Sequence, residues 1–402
     1  MNAYIDLLKT PGIARIIAAQ LTARLPSGML SLAILLHVEQ IHDSYGAAGL
    51  VLAATSVGQA VAGPLTSRWM GVWGMRKVLI LTLVICAAAI FAIALVPMSV
   101  GMFMIVGLIA GLSNPPVQPA VRTIYPKMVN SKQLTPLFSL DASAQEIIWV
   151  AGPVAATFIA VQISTTLAIV VAGTFLILGG IWFIASPEVG QVRIPRSKRS
   201  FGTVLRRPPV MLATITGFLL VGAAAAVEAS VVAVFGHGGP QAGIVLGIWA
   251  IGSLFGGLLL GHLPIGPWAL ARRMLIVFVG MALAMIYLDF WWLAIMLLVA
   301  GIGIAPAFAV IFAIVSASVK FSDTAEAYGW VGTGQLIGAA LGSAVAGFLI
   351  DANGPIGGFW AATVIAALGV LVPTLLRGWH PDLRGKDASP IPDTEPISTL
   401  RQ

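Results

Sequence analysis

The sequence predicts an all-α membrane protein of 12 transmembrane helices in two six-helix bundles. Composition, charge alternation and an internal repeat carry that expectation. Of 402 residues, 58% are hydrophobic and only 9% charged, with a mean hydropathy of +0.98. A soluble domain carries roughly 25% charged residues, so most of this surface has to face lipid. A helix needs about 20 apolar residues to cross the hydrocarbon core. Twelve segments qualify, near 12–38, 45–67, 77–97, 102–125, 135–161, 165–186, 209–235, 242–262, 270–288, 291–316, 326–350 and 357–377. The longer spans imply tilt or extension beyond the bilayer.

Charge fixes the orientation. The odd-numbered gaps between spans hold Glu39, Asp43, Asp289 and Asp351 and no Lys or Arg. The even-numbered gaps and the two ends hold nearly all of the 22 basic residues. Cytoplasmic loops collect Lys and Arg, so both termini are expected in the cytoplasm, in a multi-pass protein of the plasma (cell inner) membrane. The net charge of +7 follows this alternation, and no nucleic-acid partner is expected. Cys86 is the single cysteine, which excludes a disulfide framework and a cysteine-based metal site. The first apolar run is too long for a cleavable signal and has Arg24 in its middle.

The halves repeat. A shift of 194 residues lays Ala48-Gly49-Leu50-Val51-Leu52 on Ala242-Gly243-Ile244-Val245-Leu246, Gly58 on Gly252 and Gly63 on Gly257. A shift of 190 lays Ala110-Gly111 on Ala300-Gly301, Pro116 on Pro306, Gln145 on Gln335 and Gly152 on Gly342. Six helices per copy keep the copies parallel in the membrane. The domains expected are a bundle over 1–186, a basic cytoplasmic linker over 187–208, a bundle over 209–377 and a disordered cytoplasmic tail over 378–402. The linker carries Arg193, Arg196, Lys198, Arg199, Arg206 and Arg207.

Ionisable groups inside a bilayer are expensive and mark function. In span one, Arg24 lies roughly 18 Å along the helix, near mid-bilayer. Its charge is not easily removed, so it needs a carboxylate, an anionic ligand or water. Span four carries Asn114-Pro115-Pro116-Val117-Gln118-Pro119, and broken backbone at membrane depth is tolerated where it lines a cavity or packs on protein. Arg122, at the inner end of that span, reads as a snorkelling anchor or a gate contact. In span five, Glu146 lies at the depth of Arg24. Asp141 is about 140° around the helix from it, so the two do not share one proton. Glu228 is the deep carboxylate of span seven, either a cavity group that attracts cations or an interfacial acid. Trp249, Trp330, Gln145 and Gln335 are further cavity candidates, and Glu326 is expected to cap helix eleven.

Between spans two and three the chain reads Gly63-Pro64-Leu65-Thr66-Ser67-Arg68-Trp69-Met70-Gly71-Val72-Trp73-Gly74-Met75-Arg76-Lys77. This resembles the Gly-x-x-x-Asp-Arg-x-Gly-Arg-Arg signature of the major facilitator superfamily, with Ser67 where the family has an acid and with stretched spacing. Gly152-Pro153 is similar to the helix-five signature of the family's exporters, although Val154-Ala155-Ala156 replaces its following glycines. The resemblance covers about residues 12–377. It implies secondary transport by alternating access, a cytoplasmic gate turn holding Gly63, Ser67, Arg68, Gly74, Arg76 and Lys77, and a central path lined by helices one, four, seven and ten. Asn114 and Gln118 are placed near that path. It also puts helices one and five side by side, so an Arg24–Glu146 contact is expected, directly or through water. Physically, Gly152 and Pro153 form a hinge or a site of close packing.

The functional expectation is proton-coupled efflux of a small amphipathic or cationic molecule by an antiporter. Glu146 either exchanges a proton or cation against Arg24 or forms a static ion pair with it. The acids Asp141, Glu146 and Glu228 outnumber Arg24, which favours a cation or neutral solute. The alternatives are a transporter of a neutral solute such as a sugar or nucleoside, and a non-transporting sensor or scaffold on the same fold. No enzyme signature appears: the five His lack metal-ligand spacing, and there is no phosphate-cradling loop. No metal or cofactor is expected, only a proton gradient, a small-molecule substrate, membrane lipid and a monomeric protein.

Overall fold

Short polar caps cut a nearly continuous apolar chain into helices. In the computed structural model, which describes residues 2–236 and 241–393, these are α1 (Asn2–Lys9), α2 (Ile13–His42), α3 (Tyr45–Trp73), α4 (Met75–Leu95), α5 (Val100–Leu112), α6 (Val117–Met128), α7 (Ser131–Ala144), α8 (Glu146–Gln162), α9 (Thr165–Ala185), α10 (Pro187–Gln191), α11 (Pro208–Phe235), α12 (Gln241–Leu260), α13 (Ala269–Ala284), α14 (Phe290–Ser318), α15 (Phe321–Asn353) and α16 (Pro355–Leu375). Ser44, Ser99, Ser164 and Asp289 cap helices by accepting from backbone N–H groups of the first turn. Gly236 and Gly354 end α11 and α15 with positive φ.

Among the described residues, eleven helices are long and apolar enough to span a membrane, with α5 and α6 forming one span and α7 and α8 another. The twelfth, α13, has only 16 residues, about 24 Å of helix. It stops four residues before the expected end at 288, where the Trp292 indole N–H donates to the Leu283 carbonyl at 2.8 Å. The break in span four falls at 113–116, where two successive prolines remove backbone donors. Crossings alternate, so the Lys- and Arg-bearing connections share one end, here termed the basic end, opposite an acidic end.

The two halves build the same packing. Within the first, α2 packs on α8 and α9, α3 on α5, and α4 on α9; within the second, α11 packs on α15 and α16, α12 on α14, and α13 on α16. The glycines aligned by the repeat lie at these crossings. A Cβ on Gly152 would stand 2.8 Å from the Gly28 Cα, and one on Gly342 would stand 2.7 Å from the Gly222 Cα. Gly58 meets Gly111 and Gly252 meets Gly301 in the same way. Only a missing side chain lets two backbones come this close, which is how small residues hold membrane helices together.

Residues 378–393, expected as part of a disordered tail, are docked on the basic end. Ile391 forms a parallel bridge with Lys320, its N–H donating to the Val319 carbonyl at 2.9 Å. Leu383 N–H donates to the Ile265 carbonyl at 2.9 Å, and Ala388 and His380 are buried. Apolar residues between the prolines supply this docking. Residues 394–402, also assigned to the tail, lie outside the described residues.

Candidate functional site

Two central helices define a cleft between the halves. Between Ile16 and Glu39, only Ser27 and Ser31 of α2 are exposed. They extend the spacing of Gln20 and Arg24 along one helix face, at i, i+4, i+7 and i+11. Between Pro209 and Phe235, only Glu228 of α11 is exposed. Because α2 packs on α3, α6, α8 and α9, and α11 on α12, α14, α15 and α16, these polar side chains face the gap left between the halves. Toward the acidic end, α15 beyond Gln335 buries only its Gly338, Gly342 and Ala346 face.

The halves close at the basic end. Along α7 and α8, Ser139 donates to the Gly257 carbonyl at 2.7 Å and Ser143 to the Leu254 carbonyl at 3.5 Å. Ser253 on α12 donates to Glu146 Oε1 at 2.8 Å. Between α3 and α15, Thr333 donates to the Ala60 carbonyl at 2.7 Å, and Gly63 approaches Gly329 backbone to backbone. Phe312 of α14 packs on Phe138 of α7 and Tyr328 of α15.

At the cleft floor the expected Arg24–Glu146 contact does not form. Arg24 donates instead to Gln20 Oε1 at 2.8 Å and to Gln145 Oε1 at 2.9 Å. One residue along α8 is about 100° of rotation, so Gln145 faces α2 while Glu146 faces α12. Asp141 is fully buried and accepts from Gln20 Nε2 at 3.1 Å, Tyr125 Oη at 3.0 Å and Arg122 Nε at 3.1 Å. Arg122 is therefore no snorkelling anchor. It is buried, its guanidinium carbon lies 3.3 Å from the Phe312 ring centroid across the seam, and Gln118 accepts from both its terminal nitrogens at 2.7 and 2.8 Å when its amide oxygen faces them. Asp141 and Glu146 are engaged on separate partners.

The remaining candidates separate. Asn114 is half-buried in the α5–α6 break. Trp249 is buried one turn from Ser253 on α12, and its indole nitrogen has no partner among the described residues. Gln335 sits beside Gly217, its Nε2 buried and unpartnered among the described residues. Gly152 serves the approach of α2 to α8 with Pro153 next to it, while the helix is interrupted at Gln145, where an i→i+3 bond tightens the turn.

The turn between α3 and α4, expected as a gate, gains a carboxylate from the other half. Arg68 pairs with Glu326 of α15 at 2.6 Å. Glu326 also accepts from the Gly202 N–H at 2.7 Å, so it straps the linker instead of capping α15, whose first residue lies five positions earlier. Arg68 reaches the Arg199 carbonyl as well. Ser67 is buried with no partner among the described residues. Gly74, at φ 90°, turns the chain from α3 into α4. Arg76 packs on Gly190 and donates to the Ser186 carbonyl at 3.3 Å, and Lys77 is exposed. Sequence reasoning missed Gln20, Ser27, Ser31, Tyr125, Ser253 and Phe312. The helical spacing of the polar residues in span one was the available signal for the first three.

The profile of the Major Facilitator Superfamily matches residues 16–289 and 235–401. The chain belongs to this superfamily. It is a multi-pass membrane transporter of a small molecule, not an enzyme. No curated protein matches the sequence. Among solved structures, the human organic anion transporter MFSD10 (TETRAN) is similar with TM-score 0.70 and 16% identity, covering 91% of this chain and 100% of that one. A bacterial homologue of the iron transporter ferroportin in an outward-facing state gives TM-score 0.71 and 11% identity, over 91% and 99% of the two chains. The superfamily transporter FucP in the outward conformation gives TM-score 0.70 and 14% identity, over 92% and 99%. At these identities the likeness concerns the fold.

Proposed function

We propose that the chain is a proton-coupled antiporter of the cell membrane that exports a small amphipathic molecule by alternating access, with Glu146 as its coupling carboxylate. The observation that carries this reading is the Glu146–Ser253 hydrogen bond. Along α7 and α8 it is the last bond across the seam before the cleft begins, so this carboxylate touches the opposite half and borders the cleft at once. Ionised, it holds Ser253 by a charge-assisted bond, roughly twice as strong as a neutral one. Protonated, it holds less tightly, and the floor is freer to part as the halves rock about the central site. The placement of Lys and Arg supports cytoplasmic termini, which makes the sealed end the inner one. The Gly152-Pro153 pair supports export through its likeness to the exporter signature. The gradient supplies the energy, with no cofactor, and one copy holds both halves of the path.

Flux in proteoliposomes under an imposed pH gradient tests this. Transport should follow the gradient in the native chain and lose that dependence in Glu146→Gln. Gradient-dependent flux that survives Glu146→Gln would remove the coupling role.

A further inference from the structure

We infer that Arg24 is an anion-recognition site at the cleft floor, and that the cargo is a small organic anion: a carboxylate, a sulfonate or a phosphate monoester. This rests on the reading of the chain as a transporter. The expectation of a cationic cargo counted carboxylates without their partners. Asp141 is spent, because it accepts from Arg122, Tyr125 and Gln20 and is fully buried. Arg122 is its ion-pair partner. Of the two guanidinium groups around Asp141, Arg24 is the one left without an ion pair among the described residues; buried Arg273, near the basic end, is satisfied by the Pro306, Leu260 and Leu263 carbonyls. Its two hydrogen bonds go to neutral amide oxygens, which orient a guanidinium without neutralising it. A guanidinium has five N–H donors in a planar fork that matches the oxygens of a carboxylate or phosphate. Arg24 is partly exposed and shares its α2 face with the exposed Ser27 and Ser31.

The repeat provides an independent check on whether Arg24 is needed for packing. In the second half α11 crosses α15 as α2 crosses α8, and Gln335 stands where Gln145 does. Its neighbour on α11 is Gly217, 3.5 Å away by the Cβ it would carry, and the Gln335 Nε2 is left without a partner among the described residues. The same crossing is therefore built without a cation. Arg24 is an addition to the scaffold, and an uncompensated charge at this depth is costly unless a ligand answers it. The other carboxylates do not. Glu146 is turned to Ser253. Glu228 lies about 30 Å along α11, against about 17 Å along α2 for Arg24; its charge acts on Glu146 and is not among the charged neighbours of Arg24.

The test titrates the full-length protein in nanodiscs with 1-naphthoate, 1-naphthalenesulfonate and 1-naphthyl phosphate, with 1-naphthamide and (1-naphthylmethyl)trimethylammonium as neutral and cationic matches. Binding is read by tryptophan quenching. At least one anion should saturate and the amide and ammonium should not. Arg24→Gln should weaken the anion about 10- to 100-fold, the worth of a charged hydrogen bond, and Arg24→Lys should retain part of the affinity. Absence of saturable anion binding, tighter binding of the ammonium or amide, or an unchanged affinity in Arg24→Gln overturns the inference. Should Arg24→Gln not fold, protection of Arg24 from phenylglyoxal by the bound anion, read by mass spectrometry in the native chain, supports the inference, and lack of protection overturns it. Anion binding without gradient-driven flux would keep the site and remove the proposed coupling.

Discussion

Arg122 on α6 sits over Phe312 on α14, its guanidinium carbon 3.3 Å from the ring centroid, while its Nε bonds Asp141 on α7 at 3.1 Å. One side chain thus ties a buried ion pair in the first half to an aromatic cluster of the second. Removing one partner of a buried pair leaves a charge uncompensated, at about 3–5 kcal/mol. Asp141→Asn should lower the melting temperature sharply, whereas Asp141→Leu combined with Arg122→Leu should recover much of the loss. Thermal unfolding in detergent measures both, and additive losses in the double variant would contradict the pairing.

Arg68 and Glu326 should act as a latch between α3 and α15. Glu326→Gln leaves a neutral acceptor and should loosen the basic end, raising the reactivity of a cysteine placed at Thr333. Exchanging the charges, with Arg68→Glu and Glu326→Arg together, should restore protection that either single change removes. Maleimide labelling rates report this.

The Gly28–Gly152 crossing leaves no room for a Cβ. Gly152→Val should cost about 1–3 kcal/mol through overpacking and separate α2 from α8, displacing Gln145 from Arg24. The same change at Gly342 should cost a similar amount without touching Arg24. Comparing melting temperature and ligand binding for the two variants separates packing from recognition.

The docked tail carries a pH dependence. Burial pushes the His380 imidazole below its ordinary value of 6.5 and Arg273 adds to this, against a bond to the Pro381 carbonyl that raises it. As pH falls below about 6.5 the undocked imidazole takes up a proton first, so docking is strongest above that value and weakens below it. A fluorophore on Ser389→Cys should show lower anisotropy at about pH 5.5 than at about pH 7.5, and His380→Gln should abolish the difference.

The spans, their alternation and the repeat were legible because each is a periodic signal read along one helix. The glycines that the repeat aligned proved to be the crossing points. Arg24 stood out because charge at that depth is rare. Its partner was not legible: Gln145 and Glu146 are adjacent, and one step of helix rotation decides which meets α2. The Asp141–Arg122 pair, the Ser253 contact of Glu146 and the Arg68–Glu326 latch each join different helices, and sequence spacing does not set how two helices are rotated against each other. The order of residues 378–393 escaped because their apolar residues are sparse and find partners only on the assembled basic end.

The central claim is that the two halves rock around a floor held by Glu146. Electron-spin distances test it most directly, with Cys86→Ser as background, labels on Gly49→Cys and Gly347→Cys for the acidic end, and on Trp73→Cys and Arg272→Cys for the basic end. Acidification should shorten the first distance and lengthen the second together, and in Glu146→Gln the shifted pair should be present at both pH values. Distances that stay fixed, move in the same sense, or still respond to pH in Glu146→Gln would contradict the account.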